Sequence, residues 1–174
     1  MADPREILLK GSRFHVERRE LTKRDGGVEP RELVVHPGAV VVLPVLDDGR
    51  LVLIRNYRFS VEQVLWEVCA GTRDPGEPPE LCAARELEEE TGYRAGKLTP
   101  LLDMYTAPGI SNERMFGFVA TDLEKTAQHL DQTEHIEVHC LSPDEVMRMI
   151  HARQIEDAKS LAVLLYWNTF VRGK

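Results

Sequence analysis

The sequence predicts an α/β chain, and three observations carry that expectation. Apolar, β-branched runs crowd the first half, at Ala39 to Leu46, Leu51 to Asn56 and Val64 to Ala70, before any long helix appears. A helix-compatible segment follows from Glu80 to Thr91 and is stopped by Gly92. Further strand-like runs then lead to a capping sequence, Ser142-Pro143-Asp144-Glu145, that opens a C-terminal pair of helices. With 174 residues, 43% hydrophobic and 29% charged, the chain suits one well-buried core and is short for two comfortable domains.

In chain order, Phe14 to Leu21 alternates loosely and meets Asp25-Gly26-Gly27, a strand that reverses into the next strand at Glu32 to Val35. Pro44 inside AVVVLPVL points to an edge position or a bulge. Asp47-Asp48-Gly49 is a hairpin turn into Leu51 to Asn56. Arg55, Tyr57 and Arg58 end that strand, either as solvated arginines or as residues facing a ligand. In VLWEVCA, read as one strand, the lone Glu67 is either an outward edge residue or a hydrogen-bond acceptor for a ligand.

Gly71 to Gly76 is a loop by composition, and Pro78-Pro79 sits where a helix start tolerates proline. That helix has an apolar side of Ala83, Ala84 and Leu87, continued by Thr91. Leu101 to Tyr105 and Met115 to Thr121 read as strands around a Pro-Gly loop, Ala107 to Glu113. Glu124 to Glu134 is a polar loop, Ile136 to Leu141 alternates as a strand, and the last helices run from Ser142 through Met149 and from Ala158 to Phe170.

A formal net charge of -7 argues against general electrostatic affinity for nucleic acid. No segment has the apolar length to span a bilayer, and MADPREILLKG is not expected to be a signal peptide, so a cytoplasmic protein without a membrane partner is anticipated. Cys69, Cys82 and Cys140 show no zinc-type spacing and are expected to be free thiols in a reducing compartment. The histidines show no paired-ligand spacing either.

Steps of about 100° per residue place Glu86, Glu89 and Glu90 in one stripe of the Glu80 to Thr91 helix. Like charges on adjacent turns repel, so the stripe is either a solvated face or a seat for a multivalent cation. The surrounding pattern weighs on that choice: Gly71, Glu77, Arg85-Glu86-Leu87, Glu89-Glu90, Gly92 and Tyr93 at these spacings resemble the signature of the Nudix hydrolases. Background residue frequencies make a chance match on the order of one in ten million per start position, so the resemblance is specific. Tyr93 departs from the aliphatic residue usual there, at a packing position.

The resemblance implies an α/β/α sandwich with a mixed central sheet (residues 33–174) and an N-terminal antiparallel β extension (1–32) that forms a homodimer by strand exchange. It implies that Arg85 braces the glutamates. Glu86 and Glu90 would ligate Mg²⁺, with Glu89 and the carbonyl of Ala70 as further ligands and Mn²⁺ as a substitute. Hard divalent cations take oxygen ligands, which agrees with the stripe.

Pro108 lies 16 residues after Gly92, where the ADP-ribose pyrophosphatase subgroup has its marker proline. APGISNE resembles that subgroup's S-P-G-x-S-x-E loop with Ala107 for serine, and Arg55 to Arg58 resembles its R-Q-Y-R strand end. Leu65 to Gly71 resembles its L-E-x-P-A-G run with Cys69 for proline. By carry-over, Arg55, Arg58, Glu67, Gly109 and Glu113 are substrate-site candidates. The general base falls on Glu134, with Glu89 and Glu137 as alternatives. Some members place the base two residues earlier, where this chain has Gln132.

The implied reaction is Mg²⁺-dependent hydrolysis of ADP-ribose to AMP and ribose 5-phosphate. GDP-mannose or another nucleoside diphosphate sugar is the alternative substrate. A non-catalytic nucleotide-sugar sensor is the alternative of another class.

Overall fold

A computed structural model describes residues 5–173. Three short strands come first: β1 (Glu6–Lys10), β2 (His15–Thr22) and β3 (Val28–Val35), paired antiparallel in the order β1-β2-β3. The β2–β3 turn closes where Lys23 N–H donates to Gly27 O at 2.7 Å, with Gly26 at φ 86°, a value glycine takes without steric strain. The third strand runs on to Val35, past the boundary expected at residue 32, and Val34 is stitched to the rest of the chain. Its N–H donates to Ile110 O and its carbonyl accepts from Asn112 N–H.

The central sheet has the order β7-β4-β9-β8, from β4 (Ala39–Pro44), β7 (Cys69–Thr72), β8 (Tyr93–Tyr105) and β9 (Arg114–Lys125). It is mixed, β4 and β9 being parallel and the other pairs antiparallel. Beside it, β5 (Leu51–Arg58), β6 (Gln63–Glu67) and β10 (Ile136–Leu141) form a three-stranded antiparallel sheet, order β10-β5-β6. Side-chain alternation sends Val40 and Val42 of β4 to one face, where they pack with Cys82, Ala83 and Leu87 of α1 (Pro79–Thr91). Val41 and Leu43 face the other way, into a core with Val146 and Met149 of α2 (Pro143–His151) and Val163, Leu164 and Trp167 of α3 (Ala158–Phe170). Helices on both faces of a mixed sheet make the expected α/β/α layering.

Several local expectations change. Pro44 ends a central strand rather than an edge strand. Val45 N–H donates to Ala120 O on β9, so Pro44 turns its nitrogen to the opposite side, where β7 has already stopped at Cys69 opposite Val42. The run Val64 to Ala70 is two strands in two sheets, broken at Val68, whose N–H donates to Ser160 Oγ at 2.8 Å. On α1, Ala84 is exposed and Cys82 takes its place in the core. Both β8 and β9 are longer than the apolar runs that signal them, because their outer faces are polar.

The helix boundaries follow their caps. Gly92 at φ 65° ends α1 and its N–H donates to Glu88 O, Ser142 Oγ accepts Glu145 N–H at the start of α2, and Asp157 caps α3 through Ser160 N–H. Among the described residues, no helix is long and apolar enough to cross a membrane.

Candidate active site

A cleft of about 870 Å³ opens between α1, the end of β5, the start of α3 and the β1–β2 loop. Its floor is the stretch from Ala70 to Pro75, and its acidic wall comes from Glu86, Glu89 and Glu90. The cleft stands against Gly71 because a Cβ there would overlap the Glu86 carboxylate. Glycine there leaves the Glu86 carboxylate its place against the strand.

Arg85 organises the acids. Its Nε and Nη2 donate to the two oxygens of Glu77, each at 3.1 Å, a bidentate pair. Its Nη1 donates to Glu86 Oε1 at 2.7 Å and to Glu89 Oε2 at 3.0 Å. The guanidinium, first through its hydrogen bonds, holds the Glu77 carboxyl down at about 2. Glu77 in turn shapes the loop, accepting Asp74 N–H at 2.9 Å, while Arg73 donates to the Glu77 carbonyl.

Glu90 is 4% exposed and accepts Ala70 N–H at 3.0 Å. Burial pushes its carboxyl up to about 7, against the downward pull of the Cys69 and Ala70 donors, with the Glu86 charge adding to the rise. Glu86 is raised too, by burial first, with Arg85 opposing. Two acids that resist ionisation side by side are a local destabilisation that a cation would relieve.

Arg85 gathers Glu86 and Glu89 at one nitrogen while Glu90 turns to Ala70, and among the described residues no three acidic, His or Cys groups converge on one point. The donors are nonetheless all oxygens on one wall, and the carboxylate of Glu86 lies in the space that Gly71 leaves open. This donor set fits a hard divalent cation.

The opposite wall is cationic. Glu67 is fully buried and accepts Arg58 Nε at 2.7 Å, Arg58 Nη2 at 2.6 Å and Lys159 Nζ at 2.5 Å. Lys159 also pairs with Asp157 at 2.9 Å. Asp157 stays low despite burial because Lys159 and Ser160 favour its charged form. Arg58 and Lys159 line the cleft, whereas Glu67 lies behind them and sets their positions.

The other sequence candidates divide. Glu134 reaches the cleft with Asp131, its Oε2 accepting Asp131 N–H at 3.0 Å. Glu113 lines it as well, accepting Thr106 Oγ1–H at 2.6 Å with His36 Nδ1 at 3.6 Å. Ala70 is at the floor. Gly109, Gln132, Arg55 and Glu137 are outside the lining. Arg55 is on the opposite side of β5 from Arg58's neighbour Asn56 and meets Glu137 at 3.4 Å, with its guanidinium over Trp66.

Sequence reasoning missed Lys159 and Asp157. Their one signal was Asp157 as a cap before Ala158, and the lysine's role needed a contact 92 residues away. It also missed Lys10 to His15 and His36.

Comparison with known proteins bears on this arrangement. A NUDIX domain model matches residues 35–164. An ADP-ribose pyrophosphatase of Bacillus subtilis (strain 168) is 35% identical over 164 residues, 93% of this chain and 89% of that protein. A GDP-mannose pyrophosphatase of Klebsiella pneumoniae subsp. pneumoniae is 32% identical over 163 residues, 86% of this chain and 81% of its own. The crystal structure of an ADP compounds hydrolase superimposes with a TM-score of 0.85 at 28% identity, covering 98% of this chain and 92% of that one.

Proposed function

Because the chain belongs to the NUDIX domain family, we propose that it hydrolyses the pyrophosphate bond of ADP-ribose to AMP and ribose 5-phosphate. The observation that carries this reading is one cleft with an Arg85-braced carboxylate wall facing Arg58 and Lys159. The fold and the similarity to an ADP-ribose pyrophosphatase over 93% of the chain support it.

Glu86, Glu89, Glu90 and the Ala70 carbonyl would hold a divalent cation, Mg²⁺ first and Mn²⁺ as a substitute. Such a cation supplies positive charge against the non-bridging phosphate oxygens and eases deprotonation of the attacking water. Arg58 and Lys159, fixed from behind by Glu67, draw the anionic substrate and orient it. A carboxylate takes the proton from water as its oxygen bonds to phosphorus. The bridging P–O bond breaks, and its electron pair leaves with the second phosphate. Glu134 is assigned that carboxylate because it reaches the cleft and is not paired with Arg85. Glu89 is shared with Arg85 and Glu137 is outside the cleft.

GDP-mannose or another nucleoside diphosphate sugar is the second reading, favoured by the 32% identical GDP-mannose pyrophosphatase. A non-catalytic sensor is disfavoured because every acid of the signature is present. Residues 1–32 are proposed to mediate a homodimer, since Ile7, Leu9, Leu21 and Val28 are exposed apolar residues on small strands. The three unpaired cysteines suit a cytoplasmic location.

The test is a panel of nucleoside diphosphate sugars with Mg²⁺ and product identification. AMP from ADP-ribose is expected. Cleavage of other nucleotide sugars but not ADP-ribose overturns the substrate, and no cleavage of any overturns the hydrolase reading.

A further inference from the structure

The carbonyls at the end of α1 each meet a donor, Thr91 O accepting Lys125 Nζ at 3.5 Å, and two of the donors come from the loop that carries Glu134. Leu87 O accepts Thr91 Oγ1–H at 2.5 Å and Glu88 O accepts Gly92 N–H at 2.9 Å, both within the helix end. Glu89 O accepts His129 N–H at 2.9 Å, and Glu90 O accepts the Gln128 side-chain amide at 2.7 Å. Thr126 N–H adds a bond to Gly92 O at 2.8 Å. The segment passes so close that a Cβ on Gly92 would come within 3.1 Å of Gln128 N.

The polar loop is thus the cap of the carboxylate helix. Its root is bonded to the backbone of Glu89 and Glu90, two of the residues whose side chains line the cleft. Beyond His129 it is exposed except at half-buried Leu130 and Glu134. A local turn joins Asp131 and Glu134, Glu134 N–H donating to Asp131 O and Asp131 N–H to Glu134 Oε2. Two residues on, Ile136 is buried and paired with Asn56 of β5. The loop acid is therefore held from two ends, by β10 on one side and by the root on the other, and the root is the end bonded to the carboxylate helix. Among the root's bonds to Glu89 and Glu90, the Gln128 amide is the one made by a side chain.

We propose that Gln128 is a positioning residue: its amide clamps the Glu134 loop to the Glu90 carbonyl and so fixes the loop acid against the carboxylate helix for hydrolysis. The proposal rests on the hydrolase reading above. Gln128 lies outside the cleft lining and is an exposed residue, so its substitution leaves the core intact.

Three variants test it. Gln128→Ala removes the donor, Gln128→Glu keeps the shape but presents acceptors to a carbonyl, and Gln128→Lys restores a donor. The expected result is a fall in kcat of about 10- to 100-fold for Ala and Glu. KM and the Mg²⁺ half-saturation concentration should stay within about threefold, because α1 keeps its own ladder. Gln128→Lys should recover kcat to within about threefold of the parent. In the metal-free protein, amide hydrogen exchange at His129 should accelerate roughly tenfold in Gln128→Ala and remain slow in Gln128→Lys. Unchanged kcat in Ala and Glu, equal losses in all three variants, a loss cured by excess Mg²⁺, or unchanged exchange would each overturn the clamp. A parent protein that cleaves no nucleoside diphosphate sugar refutes the hydrolase reading instead, and the exchange measurement then decides the clamp alone.

Discussion

Glutamine in place of Glu67 should destabilise the fold and loosen the cationic wall together. Glu67 is 0% exposed, against 36% for the Arg58 side chain and 13% for Lys159. Removing one partner of a buried pair typically costs about 3–5 kcal/mol. Arg58 can swing a third of its side chain toward water, and Lys159 keeps Asp157 at 2.9 Å, so the lower end applies, about 3 kcal/mol. For a chain of this length each kcal/mol shifts Tm by about 2–4 °C, giving a fall of roughly 6–12 °C. Thermal unfolding in EDTA, followed by far-UV circular dichroism, measures it. KM for the nucleotide sugar should rise about tenfold as Arg58 loses its fixed pose. A Tm within about 2 °C of the parent, with KM unchanged, would refute the view that Glu67 acts from behind the cleft.

Glu90→Gln should lower kcat by at least about 100-fold with little loss of fold. Burial raises the Glu90 carboxyl from 4.5 to about 7, so between those values the native state keeps a proton that the unfolded chain has released. Metal-free stability then falls as pH rises through that window, by roughly 3 kcal/mol, and Glu90→Gln should flatten the slope; Tm in EDTA across the window checks the sign. Gly71→Ala pushes a methyl into the Glu86 carboxylate, whose side chain can yield. Tm should therefore move little while Mg²⁺ half-saturation rises about 10-fold or more. Ile7→Asp with Leu9→Asp should convert a dimer to a monomer in sedimentation at micromolar concentration, and a parent that sediments only as a monomer ends the dimer proposal.

The carboxylate helix was legible because its signals are local: two prolines, a stripe of acids and a glycine stop lie within Pro78 to Gly92. Ser142 and the alternation of Ile136 to Leu141 were legible for the same reason. What stayed hidden depended on the partner across space. VLWEVCA is equally compatible with one strand or two, and only the Val68 bond to Ser160 on α3 reveals the break. Helical periodicity defines a stripe but not its centre, so Ala84 and Cys82 exchanged places. Alternation puts Arg55 and Arg58 on opposite sides of β5, yet which side faces the cleft is decided by α3 supplying Lys159.

That break at Val68 also restricts how this catalyst can change. Glu67 ends one sheet and Cys69 begins the other, so the holder of the cationic wall and the floor under the carboxylate wall are neighbours along the chain. With the peptide between them pinned to α3, the gap between the cationic wall and the carboxylate wall has no loop that could lengthen or shorten. New substrate preferences must arise away from it, at Lys10 to His15 and Glu113, which line the cleft from other loops, while the spacing at the crossover is inherited unaltered.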